Sequence, residues 1–196
     1  GQEAQTSDDA SRLENSQVRD GYSAASGSDY GLYVENSHVT ISGTLFTGNG
    51  NELCYGDPSR MDAPLYITGA SSVVTLTNNT FTGNIRDRIV LAPGAMMSHD
   101  TTLTRQAVLD GYELDNDFTV PPTVTLTVEP GLTVKGGGDI ELKVQGHLEA
   151  VGTVTQPITF TSVTDTGPNE WSGLVFDGGT GNLRYATVRY GSGLNR

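Results

Sequence analysis

The hydrophobic positions of this chain recur in two near-identical segments, "VTISGTLFTGN" (39–49) and "VTLTNNTFTGN" (74–84). In each segment apolar and polar residues alternate, several polar positions follow, and the pattern resumes at the letters FTGN. Alternation with a period of two is typical of short β-strands that bury one face. Each segment therefore predicts two short strands joined by a polar corner.

A third and weaker copy, "LENSQV" (13–18), aligns with these two segments along two columns of apolar positions. The columns are Leu13, Ile41 and Leu76, followed five residues later by Val18, Phe46 and Phe81. A single copy could not bury its apolar face, so the copies must stack on one another. The alignment predicts a strand solenoid in which each column forms an internal ladder.

The spacing of the copies changes from 28 to 35 residues because "GNGNELCYGDPSRMD" (48–62) is inserted at one corner. A longer loop at a corner costs little, since the entropy of loop closure grows slowly with length. Gly48 and Gly83 suit left-handed backbone angles at these corners. The neighbouring Asn49 and Asn84 are expected to stack their amides from one coil to the next.

Another pair of segments, "GLYV" (31–34) and "PLYI" (64–67), lies ahead of the two main copies. If their aliphatic residues point inward, the period of two directs Tyr33 and Tyr66 outward, one coil apart. An exposed pair of aromatic rings offers a flat face to a sugar ring. Tyr33 and Tyr66 are thus candidate carbohydrate-binding residues, and the alternative is a purely structural ladder on the outer face.

The second half of the chain also shows the alternation typical of strands, but its segments are not copies of the first repeat. "YELDNDFTVPPTVTLTVEPGLTVK" (112–135) alternates apolar residues with Thr, and Glu129-Pro130-Gly131 has the residues of a type II turn. Four later segments alternate in the same way, and they are 140–153, 157–162, 171–176 and 183–190. This half also predicts a strand solenoid.

"GLYVENSHVTISGTLFTGN" resembles a rung of the right-handed parallel β-helix repeats of bacterial secreted proteins, a superfamily that includes the pectate lyases. "TLTVEPGLTVK" and the segments after it resemble the stretch with which many such modules begin. The resemblance implies an all-β, right-handed parallel β-helix. It also implies that residues 1–98 are the closing coils of one unit and residues 99–196 the opening segment and first coils of a second. The alternative is one continuous helix with an irregular coil at the join.

Composition narrows the classes of function. The formal net charge of −12 and the lack of clustered Lys or Arg argue against a nucleic-acid partner. No apolar run approaches the roughly 18 residues of a membrane span, and the first residues lack the layout of a signal peptide. Either a signal peptide has been removed or the chain is an excised piece of a longer protein, and we expect the excised piece. Cys54 is the only cysteine, which excludes an internal disulfide.

Few residues suggest catalytic or metal chemistry. Asp115 and Asp117 form the closest acidic pair in a turn-like setting and are candidate Ca²⁺ ligands, the alternative being solvated corner residues. No other cofactor is expected. Arg86, Asp87 and Arg88 in "NIRDRIV" are interpreted as an exposed corner. A lyase or hydrolase would need carboxylates and a base aligned across successive coils, and the repeats show no such alignment.

The sequence thus leads to two hypotheses about function. The first is a non-enzymatic extracellular or cell-surface segment of a larger bacterial protein, acting as a stalk, spacer or adhesive module. The second is a carbohydrate-binding or carbohydrate-active β-helix. Expected partners are a polysaccharide or another cell-surface component, with self-association through exposed coil ends. The strand edge at "LRYATVRYGSGLNR" (183–196) is expected to be covered by the N-terminal residues or by a second copy.

Overall fold

The computed structural model describes residues 10–21, 29–50 and 62–192, and these residues form strands and turns without a helix. None of them therefore supplies a helix that could cross a membrane. Cys54 lies outside the described residues. The strands are β1 (Ser11–Glu14), β2 (Gln17–Arg19), β3 (Tyr30–Glu35), β4 (His38–Ser42), β5 (Leu45–Thr47), β6 (Ala63–Thr68), β7 (Val73–Thr77), β8 (Thr80–Phe81), β9 (Arg88–Leu91), β10 (Thr101–Leu103), β11 (Gly111–Leu114), β12 (Phe118–Val120), β13 (Thr125–Val128), β14 (Thr133–Gly136), β15 (Glu141–Val144), β16 (His147–Val151), β17 (Ile158–Ser162), β18 (Gly173–Phe176), β19 (Thr180–Arg184) and β20 (Ala186–Val188).

These strands form open sheets in which each strand pairs in parallel with one or two strands from earlier or later in the chain. The long sheet has seven strands in the order β20-β17-β14-β11-β9-β6-β3. The other described sheets are β1-β4-β7, β2-β5-β8, β10-β13-β16-β19 and β12-β15-β18. Parallel pairing between successive turns of the chain is consistent with a β-solenoid. The all-β class expected from the sequence is confirmed.

The predicted internal ladders are present in the predicted register. Leu13 pairs with Ile41, which pairs with Leu76. Val18 pairs with Phe46, and the ring of Phe46 stacks on that of Phe81 at a centroid distance of 4.5 Å and an interplanar angle of 2°. Identical positions of each copy therefore supply the core, as the repeat requires.

Side-chain amides fix the corners between the ladders. Asn49 Nδ2 donates to Asn84 Oδ1 at 2.8 Å, as the sequence predicted, and Gly48 and Gly83 both have positive φ. Asn84 Nδ2 in turn donates to Asp87 Oδ1 at 2.7 Å. A chain of hydrogen bonds thus runs along this corner and satisfies buried polar groups from coil to coil.

A second amide ladder, which the sequence did not predict, crosses into the second half of the chain. Asn79 Oδ1 accepts the backbone N–H of Thr44 at 3.0 Å, and Asn79 Nδ2 donates to Gln106 Oε1 at 3.1 Å. Gln106 belongs to no copy of the first repeat, yet it is buried and occupies the next rung.

The long sheet and the core continue across residue 98. Strand β11 pairs with β9 on one side and with β14 on the other. One cluster of buried apolar residues extends from Val34 to Trp171. The described residues on the two sides of residue 98 therefore share a sheet and a core.

Three strands, β18, β19 and β20, are the last members of their sheets at the C-terminal end. Phe176 and Val188 on them are about half exposed. The described N-terminal strands β1, β2 and β3 lie at the opposite edges, so they do not cover this end. Association with a second copy stays a prediction, which light scattering over a concentration series tests.

Candidate functional site

The outward face of the long sheet carries one continuous row of side chains. We call it the outward row, and its members are Tyr33, Tyr66, Val90, Glu113, Lys135 and Thr161. Neighbouring members sit on adjacent strands, about 4.8 Å apart. The row therefore places an aromatic group beside a charged group, although the sequence singled out only its first two members.

The aromatic end of the row is a cluster of three tyrosines. Tyr33 and Tyr66 stack with ring centroids 5.5 Å apart and an interplanar angle of 5°. The ring centroid of Tyr30 lies 4.5 Å from that of Tyr66, and the two ring planes make an angle of 40°. The predicted pairing of Tyr33 with Tyr66 in one register is confirmed.

The expectation that both rings are exposed is wrong for Tyr66. Tyr33 is 49% exposed, whereas Tyr66 is only 7% exposed and packs with Ala63, Val90 and Ala92. These small and aliphatic neighbours form a second apolar cluster on the outward face. Tyr33, with part of Tyr30, is thus the accessible aromatic surface.

The hydroxyl of Tyr66 is already committed to a protein partner. It donates to Asp115 Oδ2 at 2.5 Å. Burial raises the pKa of Tyr66 above its ordinary value, and the hydrogen bond to the Asp115 carboxylate raises it further. The phenol therefore stays neutral at physiological pH and anchors the ring rather than offering a group to a ligand.

The two acidic residues proposed as calcium ligands have separate partners. Asp115 accepts from Tyr66, and Asp117 Oδ1 accepts the backbone N–H of Glu141 at 3.0 Å. Within the described ranges, no three His, Cys, Asp or Glu side chains are grouped so that they could hold a metal ion. The calcium hypothesis for Asp115 and Asp117 stays a prediction, and their observed contacts are structural.

A cleft of about 390 Å³ lies at the charged end of the outward row. We call it the charged cleft, and its charged members are Arg86, Arg88, Asp110, Glu113 and Lys135. They come from the segment before β9, from β9 itself, from the segment before β11, from β11 and from β14. The sheet register thus gathers residues that are 49 positions apart in the chain at their extremes.

The interpretation of Arg88 as part of an exposed corner is wrong. Arg88 is 4% exposed, and its Nη1 donates to Glu113, which is buried as well. Its Nη2 donates to the backbone carbonyl of Asp62 at 3.3 Å. Burial lowers the pKa of Arg88 below its ordinary value, and the nearby charge of Arg86 lowers it further. The buried charge is tolerated because Glu113 neutralises it.

The alternation of the two strands contained a signal for this pair. In "RIVL" the outward positions are Arg88 and Val90, and in "GYEL" they are Gly111 and Glu113. Arg88 is directly opposite Gly111, and Glu113 is the next outward residue of the same strand. Opposite charges on the same face of adjacent strands are expected to meet once the register is known.

The remaining cations of the charged cleft are less constrained. Arg86 Nη1 lies 4.0 Å from Glu113 Oε1, and its side chain is 28% exposed. Lys135 pairs in register with Glu113 through the backbone, and no carboxylate of the described residues lies within ion-pair distance of its Nζ. The cleft therefore holds cationic groups that remain available to a bound molecule.

Comparison of the chain with known protein families, curated proteins and solved structures found no match. The chemistry of the site accordingly rests on its geometry. A half-exposed aromatic face and a charged cleft on one rigid sheet suit binding, because strands hold the groups in fixed relative positions.

Proposed function

We propose that this chain is a non-enzymatic segment of a larger extracellular or cell-surface protein, in which a right-handed parallel β-helix serves as a stalk, spacer or adhesive module. The observation that carries this proposal is the unbroken register of the long sheet. Seven parallel strands from Tyr30 to Val188 pair one after another, without a gap, beside a common core.

Several features support the individual parts of the proposal. Crossover connections between parallel strands are right-handed in about 98% of cases, which favours a right-handed coil. In a solenoid each coil contacts only its neighbours, so every added coil extends the molecule along one axis. A spacer requires such an elongated shape. The resemblance to bacterial secreted β-helix repeats favours an extracellular or cell-surface location.

A rigid spacer should hold the two ends of the long sheet at one fixed distance. Spin labels placed by Glu35→Cys on β3 and Thr187→Cys on β20, in a chain with Cys54→Ser, test this. Six strand spacings separate the two strands, so we expect a single narrow distribution centred at about 30 Å, before the length of the labels is added. Double electron–electron resonance gives the distribution directly.

A broad or bimodal distribution under native conditions would contradict the spacer role, and the same labels in urea provide the unfolded reference. The non-enzymatic part is tested separately with pectin-like and alginate-like polysaccharides. Release of reducing or unsaturated ends beyond that of a boiled control would show that the chain is an enzyme.

Binding of a carbohydrate is a second candidate function, favoured by the tyrosine stack on the outward face. The ring of Tyr33 is half exposed, and its stack on the buried Tyr66 holds it in place. A fixed aromatic face loses little conformational entropy when a sugar ring packs on it. The alternative in which the stack is only a structural ladder predicts no such binding.

We expect Tyr33→Ala to weaken retention on a polysaccharide affinity gel by about two- to tenfold, the range for a single aromatic contact. Tyr185→Ala is the matched control, since Tyr185 is also largely exposed but lies on the turn after β19. Affinity electrophoresis against neutral and acidic polysaccharides measures the retention. Equal retention of both variants and the wild type would leave only the ladder role.

A further inference from the structure

The charged cleft places three cations close together in an acidic protein. Its lining contains three cations, Arg86, Arg88 and Lys135, and two carboxylates, Asp110 and Glu113, and the carboxylates of Asp62 and Asp115 also act on Arg88. The whole chain, by contrast, has a formal net charge of −12. The accessible cations of the cleft, Lys135 and Arg86, offer an anion a local attraction that the rest of such a surface lacks.

The cations of the cleft differ in how far the protein compensates their charge. Lys135 has no carboxylate of the described residues within ion-pair distance, and its side chain is partly exposed to the cleft. Arg88 is buried, and its Nε has no hydrogen-bond partner among the described residues. That Nε is itself enclosed and the guanidinium is paired with Glu113, so Arg88 does not bind a molecule in the cleft, and Lys135 and Arg86 are the cleft's partly exposed cations.

The rest of the lining restricts the size and polarity of a ligand. A volume of about 390 Å³ lies in the range of small-molecule sites and below that of a macromolecular groove. Ile85 and Val163 contribute apolar wall beside the charges. Glu113 and Asp110 would repel a second negative charge, because both are already in the lining.

We propose that the charged cleft binds a small monocarboxylate with a short apolar body. The carboxylate is held by Lys135 and Arg86, and the apolar body lies against Ile85 and Val163. Charge-assisted hydrogen bonds in a partly buried cleft are about twice as strong as neutral ones, so the carboxylate supplies most of the affinity. This site is separate from the tyrosine cluster and does not depend on the carbohydrate-binding function.

Titration of the ¹⁵N-labelled protein with butyrate at low ionic strength, followed by NMR, tests the proposal. We expect saturable shifts of backbone amides around the cleft, at Gly111, Glu113 and Thr164, and no such shifts with butanol. Binding should weaken as the salt concentration rises, because the interaction is electrostatic. Saturable binding of butanol, or butyrate shifts that are confined to other parts of the chain, would overturn the proposal.

Lys135→Gln should weaken butyrate binding about tenfold, the equivalent of one lost charge-assisted hydrogen bond. Lys143→Gln is the control, since Lys143 lies on β15 of another sheet and pairs with Glu141. Equal affinities of Lys135→Gln and the wild type would contradict the assignment of Lys135. If the variant does not fold, the salt dependence of butyrate binding to the wild type decides.

Competition identifies the ligand class. Inorganic phosphate and glucuronate are titrated under the same conditions, and both should bind more weakly than butyrate. Phosphate carries a second negative charge, and glucuronate has a polar ring in place of an apolar body. Tighter binding of either would overturn the apolar monocarboxylate as the ligand.

Discussion

Glu113→Gln is expected to lower the free energy of unfolding by about 3–5 kcal/mol, the cost of leaving a buried charge without its partner. The substitution keeps the volume of the side chain and removes only its negative charge. Arg88, which is 4% exposed, would then lie in the sheet as an uncompensated cation. Equilibrium unfolding in urea, monitored by circular dichroism, measures the change.

A matched control and a double substitution separate the buried pair from a general charge effect. Glu14→Gln removes a carboxylate 3.9 Å from Arg12 in an exposed pair, and such pairs contribute about 1 kcal/mol or less. The double variant Arg88→Met/Glu113→Leu should regain most of the stability, because neither charge remains buried. If Glu113→Gln lowers the free energy of unfolding by less than about 1 kcal/mol, the Arg88–Glu113 pair contributes no more than an exposed pair does.

Phe81→Ala is expected to lower the free energy of unfolding by a similar amount, about 3–5 kcal/mol. Phe81 is fully buried and stacks on Phe46, so the substitution removes a ladder contact and leaves a cavity. Phe176→Ala is the control, since Phe176 is 45% exposed and its loss should cost well under half as much. The same urea titration measures both variants.

The Phe81 variant also tests whether the two halves unfold together. Trp171 is the only tryptophan and is buried in the second half, so its fluorescence reports on that half alone. Because one sheet joins the halves through β9, β11 and β14, we expect fluorescence and circular dichroism to shift to the same lower urea concentration. An unshifted fluorescence transition would show that the halves unfold independently.

The sequence was sufficient to predict the internal ladders because each copy repeats both the residue type and its phase. A period of two assigns every strand residue to one face, so alignment of the copies directly gives the pairs Leu13 with Ile41 and Phe46 with Phe81. The same logic gave the pairing of Tyr33 with Tyr66 and the amide contact of Asn49 with Asn84. These contacts join like residues at like positions, and a repeated sequence reveals such contacts.

The charged cleft could not be found in this way because its members do not repeat. Arg88 and Glu113 are 25 positions apart and belong to segments without a common motif. Their contact depends on the register between β9 and β11, two strands that are separated in the chain by a connection containing β10. Gln106 likewise completes the ladder of Asn79 from an irregular stretch.

The sequence by itself therefore determined the strand class, the stacking of the copies and the inward or outward direction of their side chains, because local alternation and repetition fix these properties. Only the tertiary structure decided which outward residues are accessible. Tyr66 and Arg88 both point away from the main core, yet both side chains are buried. Tyr66 is hydrogen-bonded to Asp115, and Arg88 is hydrogen-bonded to Glu113. Alternation gives the direction of a side chain, whereas its burial depends on what other segments place over it.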